Sequence, residues 1–347
     1  MAVTAAVCAR VGRSVEAALR SLDMIPLGGP VRLPTTVGRS WRQAVRVTVC
    51  VRRRVRDVAV RVVLDPTTEQ AAAMAWEHRV HREFGDMAAH LTRRGTIRRN
   101  PVVGVLHRDP VTVPGAIVTV SRYVEQAVDG ITAQRWGETL ALLHVLGSTP
   151  RAQRLMQVRP VTNTLVGLTA DALLAAIRRP GHPLHGRPEV VALFAHALRE
   201  RALHAVRLDP NPVLAHRDLH ALNCVNGPTG GMAIDWQETA WGNRSADFAW
   251  LHLQVRRYGG SPALLETARD AYARVAPRSC PTPEQITAAG QVRELVFLGF
   301  SILNADRGPE HRDELLVELP ILHDPDAATG RWRMLFNPAV FQPGLVA

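Results

Sequence analysis

Residues 214–251 constrain the fold of this chain more than any other stretch of its sequence. They contain two carboxylates with apolar neighbours, Asp218 and Asp235, and Asn223 follows the first of them by five positions. A turn rich in glycine, proline and asparagine then separates short apolar runs, and such runs predict strands. The predicted strands are 212–215, 224–225 and 232–234. The segment therefore predicts a hairpin with both carboxylates at its mouth.

This set of oxygen ligands suits the transfer of a phosphoryl group from a metal-bound nucleotide to a hydroxyl group. That reaction needs a carboxylate that orients and deprotonates the hydroxyl, and hard oxygen ligands that hold Mg²⁺ against the phosphates. Asp218 fits the first role, and Asn223 with Asp235 fits the second. Residues 216–223 match the kinase catalytic-loop pattern H-R-D-L-x-x-x-N letter for letter. The alternative is an ordinary surface hairpin whose Asp and Asn residues only cap turns.

The same stretch resembles the aminoglycoside phosphotransferase family, small-molecule kinases that share the protein-kinase-like fold. His220 stands where protein kinases usually carry a basic residue and this family often carries histidine. Trp236 follows the second carboxylate where protein kinases have D-F-G, and residues 246–249 are similar to the family's D-L-A segment. That segment comes too early to leave room for a long activation loop. Arg217 departs from the pattern, because this position is commonly glycine in the family.

The resemblance implies an α+β, two-lobed, protein-kinase-like fold. A small antiparallel-sheet lobe, 1–124, would bind the nucleotide, and a larger, mainly helical lobe, 125–347, would carry the catalytic and substrate-binding residues. Alternating apolar segments predict strands in the first lobe. These strands are 31–37, 44–51, 58–64, 101–106 and 116–120, with turns at 38–41, 52–57 and 107–114. Helical periodicity and capping residues predict helices. These helices are 11–22, 67–91, 132–146, 170–178, 189–206, 262–275, 283–305 and 309–319.

Residues 57–61 resemble the V-A-I-K segment of kinases, and Arg61 stands where a nucleotide-binding lysine is expected. The chain contains no lysine, so any cationic phosphate clamp must use arginine or backbone groups. Arginine keeps the charge, but its planar fork aims its donors differently. Arg61 is therefore compatible either with a phosphate clamp or with impaired catalysis. Glu77 is the candidate carboxylate that orients Arg61, Glu69 and Glu83 are rivals, and a solvated helix face is the alternative for Glu77.

Other parts of the nucleotide site are assigned by position within the kinase-like pattern. Gly38 and Ser40 lie in the turn that would cover the phosphates, where backbone N–H groups and a small hydroxyl suit anion binding. An ordinary hairpin turn explains these two residues equally well. Tyr123 and Val124 fall at the hinge between lobes, where backbone groups bind the adenine edge in this fold class. The alternative for them is the plain end of a strand.

Further residues of the second lobe follow from the resemblance. Helices after the metal-binding aspartate help to form the substrate pocket in this family. The candidate contributors are Asp247, Glu238, Glu294 and Asp306. We expect Asp247 rather to brace the catalytic loop through backbone hydrogen bonds. His144 ends a segment similar to the family's L-A-x-L-H signature, and we expect it to pack and hydrogen-bond rather than react.

The net charge of +11 raises the alternative of a nucleic-acid-binding protein. All 42 basic residues other than histidine are arginine, however, which indicates a compositional bias rather than a binding surface. The densest basic cluster is Arg52, Arg53, Arg54 and Arg56, in the predicted turn 52–57. It lacks the interleaved aromatic residues that stack on bases. We therefore expect a solvated hairpin tip there and no nucleic-acid partner.

Cysteine usage and hydropathy indicate a cytoplasmic protein. The four cysteines are scattered and form no C-x-x-C pair, so they predict reduced thiols rather than disulfides or a zinc site. We find no apolar run that approaches the roughly 20 residues needed to cross a bilayer. No membrane partner is expected.

The sequence thus predicts a phosphotransferase that moves the terminal phosphate of Mg²⁺-bound ATP or GTP to a hydroxyl of a small molecule. By resemblance the leading acceptor is an aminoglycoside or another antibiotic, which implies antibiotic resistance. A polycationic acceptor favours an acidic cleft, which the net charge does not indicate, so a neutral sugar, a macrolide or a peptide hydroxyl remains open. The alternative function is a catalytically impaired, kinase-like binding or scaffold protein.

Overall fold

A computed structural model describes residues 5–33, 42–125, 130–157, 168–327 and Trp332. Among these residues six strands form one antiparallel sheet in the first part of the chain. The strands are β1 (Ile25–Pro26), β2 (Val31–Arg32), β3 (Arg42–Val51), β4 (Arg54–Leu64), β5 (Val111–Val113) and β6 (Ala116–Arg122). Their order is β1-β3-β4-β6-β5, and β2 also pairs with β3.

Strict alternation of side chains decides which face of this sheet is buried. On β3 and β4 every second residue is a buried valine, from Val45 to Val49 and from Val58 to Val62. Helix α1 (Ala5–Ser21) covers that face with an apolar stripe that includes Val15. The residues between these valines point to the opposite face. Among them is Arg61, which therefore lies on the side of the sheet away from α1.

Two features of the sheet differ from the sequence-based expectation. The turn predicted at 52–57 contains only Arg52 and Arg53, both with positive φ, and β4 already begins at Arg54. The strand β4 thus begins four residues before the predicted strand 58–64, in a part of the sequence that has few apolar residues. The segment 101–106 is not a strand, since it forms only isolated bridges to the chain, and β5 lies inside the predicted turn 107–114. Pro101 lacks the N–H group that a regular ladder would use.

Helix α2 (Thr68–Arg93) is one continuous helix, where the sequence left one or two helices open. Thr67 and Gln70 form a capping box, in which each side chain accepts a hydrogen bond from the other's backbone N–H. Buried residues along the helix include Val80 and Phe84. They join a core shared with the second part of the chain, so α2 connects the sheet to the helical part.

The second part of the described chain is mainly helical. Its helices are α3 (Ala133–Gly147), α4 (Pro150–Gln157), α5 (Ala170–Ile177), α6 (Glu189–Leu208), α7 (Ser245–Arg257), α8 (Pro262–Val275), α9 (Pro283–Asn304) and α10 (Pro309–Glu318). Its short strands are β7 (Val213–Ala215), β8 (Cys224–Gly227), β9 (Gly230–Ala233) and β10 (Ala240–Gly242). The predicted helices are confirmed to within a few residues, except that α1 begins six residues before its predicted start, and α4 was not predicted. The α+β class with a sheet lobe and a helical lobe is confirmed.

Helices α3 and α8 pack so closely that one position admits only glycine. A Cβ atom added at Gly137 would lie 2.1 Å from the backbone oxygen of Ala268. No rotation of a side chain relieves this contact, because the neighbouring atom belongs to the backbone. The glycine therefore sets the distance between two helices of the core.

Helix α9 is long and apolar enough, by length and composition alone, to cross a membrane. It is also the central helix of the helical part, where it packs against α6 and α7, and 67% of its most apolar window is buried inside the protein. Arg293 and Glu294 interrupt its apolar run, so the sequence shows no continuous apolar stretch of that length. These observations fit a core helix.

Candidate active site

A pair of short hairpin strands places the predicted metal ligands next to each other. β8 and β9 pair from Cys224–Ala233 to Gly227–Gly230. The N–H of Ile234 donates to the carbonyl of Asn223 at 3.0 Å, which continues the ladder by one residue. Asn223 and Asp235 therefore lie at the same end of the hairpin. The strands predicted around this hairpin are confirmed.

Asn223 also contacts Asp218, the candidate catalytic base. Its Nδ2 donates to the Asp218 carbonyl at 2.8 Å and to Asp218 Oδ2 at 3.1 Å. The Asp218 side chain is 17% exposed, so it is held in place but still reachable from solvent. The structure thus brings the two residues of the catalytic-loop pattern together. The amide oxygen of Asn223 is the atom that suits a hard metal ion.

His216 connects the catalytic loop to the segment that carries Asp235. Its Nε2 donates to the carbonyl of Ile234 at 2.9 Å, and its Nδ1 accepts from the N–H of Asp218 at 3.3 Å. Burial lowers the pKa of His216, which keeps the imidazole neutral. A neutral ring has one donor and one acceptor nitrogen, and this arrangement uses both.

Asp247 lies beneath the same loop at the start of α7 and is fully buried. Its carboxylate accepts from the N–H groups of His216, at 3.0 Å, and of Arg217. It also accepts from Nε2 of His144 at 3.0 Å, and Nδ1 of His144 accepts from the Tyr272 hydroxyl at 2.9 Å. Burial alone would raise the pKa of Asp247, but the hydrogen bond from His144 and the backbone donors lower it. Asp247 and His144 therefore have the contacts expected of residues that hold the loop in place rather than react.

Two residues of the site have left-handed backbone conformations. Arg217 has φ of +66° and Asp235 has φ of +63°. This region strains residues with a Cβ atom and is easy for glycine. It gives a physical reason for the glycine that is common at the position of Arg217 in the family. The strain lies next to Asp218 and at Asp235 itself, where the backbone is fixed by the hydrogen bonds of the loop.

Arg61 projects from β4 toward α2 and the hairpin. Its Nη1 forms an ion pair with Glu77 Oε1 and lies 3.6 Å from Asp235 Oδ1. Burial would lower the pKa of Arg61, but the two carboxylates raise it above its usual value. Glu77 is 6% exposed, so the solvated-face alternative for it is wrong. Of its rivals, Glu83 pairs with Arg82 and Arg151 instead.

Glu69, the other rival, lies in the first turn of α2, two turns from Glu77. The structure therefore brings Arg61, Glu77 and Asp235 together, as the kinase-like pattern predicts. An arginine reaches the position expected for the lysine.

Trp236 anchors the candidate metal-binding segment, a role that the sequence did not predict. The indole is fully buried. It packs against Phe84 of α2 at 4.8 Å and His216 at 4.9 Å between ring centroids, and His81 of α2 lies 6.0 Å away. The residue after Asp235 therefore contacts the helix that carries Glu77. Only the large aromatic side chain after Asp235 could have signalled this contact in the sequence.

Tyr123, at the predicted hinge, is covered by Arg46, whose Cζ lies 4.7 Å from the ring centroid. Arg46 pairs with Asp57 at 2.5 Å, and Asp57 also accepts from the Thr48 hydroxyl at 2.6 Å. These hydrogen bonds lower the pKa of Asp57. Polar side chains therefore surround Tyr123 on the face of the sheet that also carries Arg61.

Val124 lies against the catalytic hairpin, since a Cβ atom added at Gly227 would be 3.2 Å from Val124 Cγ1. The hinge thus contacts β8 directly. Gly38 and Ser40, the predicted phosphate-covering residues, lie outside the described part of the chain.

Two of the carboxylates expected at the substrate pocket are engaged elsewhere. Glu294 is fully buried, accepts from Nε of Arg257 at 2.8 Å and forms an ion pair with Arg256, whose Nε lies 3.1 Å away. Asp306 pairs with Arg179 at 3.0 Å. Glu238, three residues after Asp235, is half-buried and remains close to the site. These contacts follow from long-range packing that the sequence pattern does not contain.

Arg293 of α9 reaches the catalytic loop and was not predicted. Its Nη2 donates to the carbonyl of Arg217, and its Cζ lies 5.0 Å from the ring centroid of Trp250. Burial lowers the pKa of Arg293, whereas the carboxylates of Asp218 and Glu238 oppose this shift. An arginine nevertheless stays charged.

The oxygen donors of this site fit a magnesium ion. No cluster of three or more His, Cys, Asp or Glu side chains suited to a metal occurs among the described residues. Mg²⁺ is typically held by one or two carboxylates together with substrate phosphates and water, so a dedicated protein cage is not needed. Asp235 and the amide oxygen of Asn223 supply such a partial set at the end of the β8–β9 hairpin.

This chain matches known proteins both in a sequence family and in fold. The family described as "Phosphotransferase enzyme family" matches residues 111–285, which is half of the chain. A search among curated proteins found no significant sequence match. Many solved structures match the fold.

A choline/ethanolamine kinase family protein from Mesorhizobium loti is 18% identical, with a TM-score of 0.57 over 97% of this chain and 100% of that one. An amicoumacin kinase solved with AMP-PNP, Ca²⁺ and its ligand Ami is 12% identical, with a TM-score of 0.55 over 92% and 98% of the two chains. A gentamicin-APH(2")-IIa complex is 14% identical, with a TM-score of 0.52 over 93% and 97%. At these identities the similarity establishes the fold alone.

Proposed function

Because this chain belongs to the phosphotransferase enzyme family, we propose that it transfers the terminal phosphate of a metal-bound nucleotide to a hydroxyl group of a small molecule. Family membership agrees with the resemblance carried by residues 214–251. The observation that carries the specific proposal is the convergence of Asp218, Asn223 and Asp235 at one end of the β8–β9 hairpin, with Arg61 3.6 Å from Asp235.

Asp218 is the proposed base. It accepts the proton of the acceptor hydroxyl as that oxygen attacks the terminal phosphorus. A new O–P bond forms, the bond from this phosphorus to the bridging oxygen breaks, and its electron pair stays on the nucleoside diphosphate. General base catalysis of this kind contributes about 10²–10⁴ in rate. A hydrogen bond from Asn223 Nδ2 holds the carboxylate in position.

Asn223 and Asp235 would hold Mg²⁺, which neutralises charge on the phosphates when bound. Arg61, oriented by Glu77, would hold the phosphates that are not transferred. A guanidinium paired with two carboxylates retains N–H donors for a phosphate. This supports a working clamp in a chain without lysine.

Backbone groups at Tyr123 and Val124 would bind the base of ATP or GTP, and the turn with Gly38 and Ser40 would cover the phosphates. In this proposal residues 1–124 form the nucleotide-binding lobe and residues 125–347 the catalytic and substrate-binding lobe. The cysteines within the described residues are free thiols, which fits a protein that works in the cytoplasm.

The resemblance makes an antibiotic the first acceptor class to test. The test measures nucleotide-dependent mass shifts of pooled hydroxyl compounds by mass spectrometry. Asp218→Ala and Asp235→Ala should each abolish turnover, whereas Asp313→Ala, an exposed carboxylate on α10, should keep it. Turnover that survives in both active-site variants would contradict the assignment.

One observation favours a second candidate, a catalytically impaired binding protein of the same fold. Arg61 replaces the lysine, and both nearby carboxylates already bind its guanidinium. In that case the wild type would bind a small molecule but transfer no phosphate from ATP or GTP. Restored transfer in Arg61→Lys would identify this residue as the cause.

A further inference from the structure

The acceptor hydroxyl must lie beside Asp218, so the charges around Asp218 indicate which acceptors fit. Arg293 enters this region from α9 and is half-buried. Its Nη2 donates to the Arg217 carbonyl at 2.5 Å, which fixes the guanidinium next to the residue that precedes Asp218. The guanidinium carries five N–H donors, so it can bind a further acceptor group. A positive charge therefore lies beside the catalytic loop, close enough to interact with the carboxylate of Asp218.

Trp250 holds Arg293 in this place. The Arg293 Cζ lies 5.0 Å from the centroid of the indole, within the range of a cation–π contact. The ring of His220 meets the same indole edge-on at 5.1 Å between centroids. A fixed guanidinium loses less side-chain entropy when it binds an anion than a mobile surface arginine does.

His220 does not supply charge at this site. Its Nε2 lies 4.0 Å from Asp218 Oδ2, and its Nδ1 accepts a hydrogen bond from the N–H of Leu222 at 3.2 Å. A ring nitrogen that accepts a hydrogen bond carries no proton, so the imidazole is neutral. Arg293 therefore supplies a positive charge next to Asp218 that is held by the Arg217 carbonyl and Trp250.

Several carboxylates of the helical lobe are not available to a polycationic acceptor. Glu294 and Asp247 are fully buried, with Glu294 paired to Arg257 and Asp247 bound to the catalytic loop. Glu318 of α10 is fully buried as well, and burial raises its pKa. Asp306 is paired with Arg179. These four carboxylates thus stabilise the protein itself, whereas Glu238 is half-buried and its charge acts on Arg293.

We propose, on the basis of the phosphotransferase function above, that the acceptor is a hydroxyl compound with a carboxylate or similar anionic group near the reacting hydroxyl, and that Arg293 selects it. The anionic group would accept charge-assisted hydrogen bonds from the guanidinium while the hydroxyl faces Asp218. A polycation would bring an ammonium group against Arg293, and like charges at a short distance repel. Arg293 is therefore a specificity-determining residue.

The test compares two probes of equal size and opposite charge, glycerate and protonated serinol (2-amino-1,3-propanediol). Their dissociation constants from the full-length protein are measured by NMR titration at pH 7.5, without nucleotide. The wild type should bind glycerate at least about tenfold more tightly than serinol, as expected for one charge-assisted contact. Arg293→Gln keeps a donor for the Arg217 carbonyl but has no charge, and it should lose this preference.

The matched control is Arg307→Gln, which changes an exposed arginine just beyond the end of α9 and should keep the preference. Equal affinity for the two probes, tighter binding of serinol, or no binding of either would overturn the proposal. Phosphorylation of an aminoglycoside in the acceptor screen would also overturn it. The nucleotide is absent from this titration, so a failure of phosphate transfer and a failure of the Arg293 site give separate results.

Discussion

The charge of Arg61 is balanced by two carboxylates from different elements, Glu77 of α2 and Asp235 after β9. The side chains of Glu77 and Asp235 are 8% and 19% exposed, so solvent screens these contacts only weakly. The arginine therefore joins the sheet, α2 and the catalytic hairpin at a single point. Its contacts explain how an arginine is accommodated where lysine is expected.

Removing this charge should destabilise the protein. Arg61→Met leaves two poorly solvated carboxylates close together without their shared cation, and we expect the free energy of unfolding to fall by about 3 kcal/mol. Arg10→Met removes an exposed pair with Asp65 and should cost less than about 1 kcal/mol. Urea denaturation of both variants measures the two losses. Equal losses would show that Arg61 contributes no more than a surface ion pair.

Glycine, which the family pattern has at the position of Arg217, should suit the backbone there better than a residue with a Cβ atom. Its φ of +66° strains any residue with a Cβ atom, so Arg217→Gly should be about 1 kcal/mol more stable than Arg217→Ala. At Ala192, an exposed position inside α6, the order should be reversed, with glycine about 1 kcal/mol less stable than alanine. Thermal denaturation of these variants compares the two sites. The same order at both positions would contradict a strained loop.

At the scale of elements, the sequence predicted the helices well because their ends carry local signals. Thr132 and Thr282 cap α3 and α9 as their residue types suggest. The segment 101–106 was wrongly predicted as a strand, because it forms only two isolated bridges, and the partner of Val102, Ala233, lies far along the chain. Short apolar runs do not reveal their partners, so strand prediction fails where pairing is remote.

The candidate site shows the same division between local and remote information. The contact of Asn223 with Asp218 follows from a motif within one loop, and the motif alone predicted it. The contact of Arg293 with the catalytic loop depends on how α9 packs against the rest of the lobe, which no local pattern encodes. The contact of Trp236 with Phe84 likewise depends on the position of α2. Motifs therefore identified reacting groups, but the structure was needed for the groups that surround them.

The packing of α3 against α8 gives a direct test at this scale. Gly137→Ala would place a Cβ atom 2.1 Å from the Ala268 oxygen, so the helices must move apart. We expect a loss of about 2 kcal/mol or more in the free energy of unfolding. Gly12→Ala in α1 meets no atom within 4 Å and should gain up to about 1 kcal/mol. Urea denaturation compares the two, and a neutral Gly137→Ala would contradict the close packing.

For the whole molecule, buried neutral histidines predict a loss of stability in acid. Burial lowers the pKa of His81 and His220 to about 3, and that of His78 and His252 to about 4, from a usual value of 6.5. Between pH 4 and pH 6.5 these histidines bind more protons in the unfolded chain than in the folded one. The free energy of unfolding should therefore fall as the pH drops below about 6.5 and keep falling toward pH 4.

Urea denaturation between pH 7.5 and pH 4.5 measures this slope. Replacement of one histidine removes at most about 1.4 kcal/mol per pH unit from it. His81→Asn should flatten the slope, whereas His185→Asn, at an exposed position, should not. A free energy that is constant or rises over this interval would show that these histidines are protonated in the folded protein.

The central claim is that the hairpin end around Asp235 binds a nucleotide through a metal ion. Calorimetry with ATP and GTP, with and without Mg²⁺, tests it on the wild type, Asp235→Asn and Asp218→Asn. We predict binding of at least one nucleotide that weakens by about tenfold or more without Mg²⁺ or in Asp235→Asn, and that stays within about threefold in Asp218→Asn. No nucleotide binding, or binding indifferent to both Mg²⁺ and Asp235, would contradict the account.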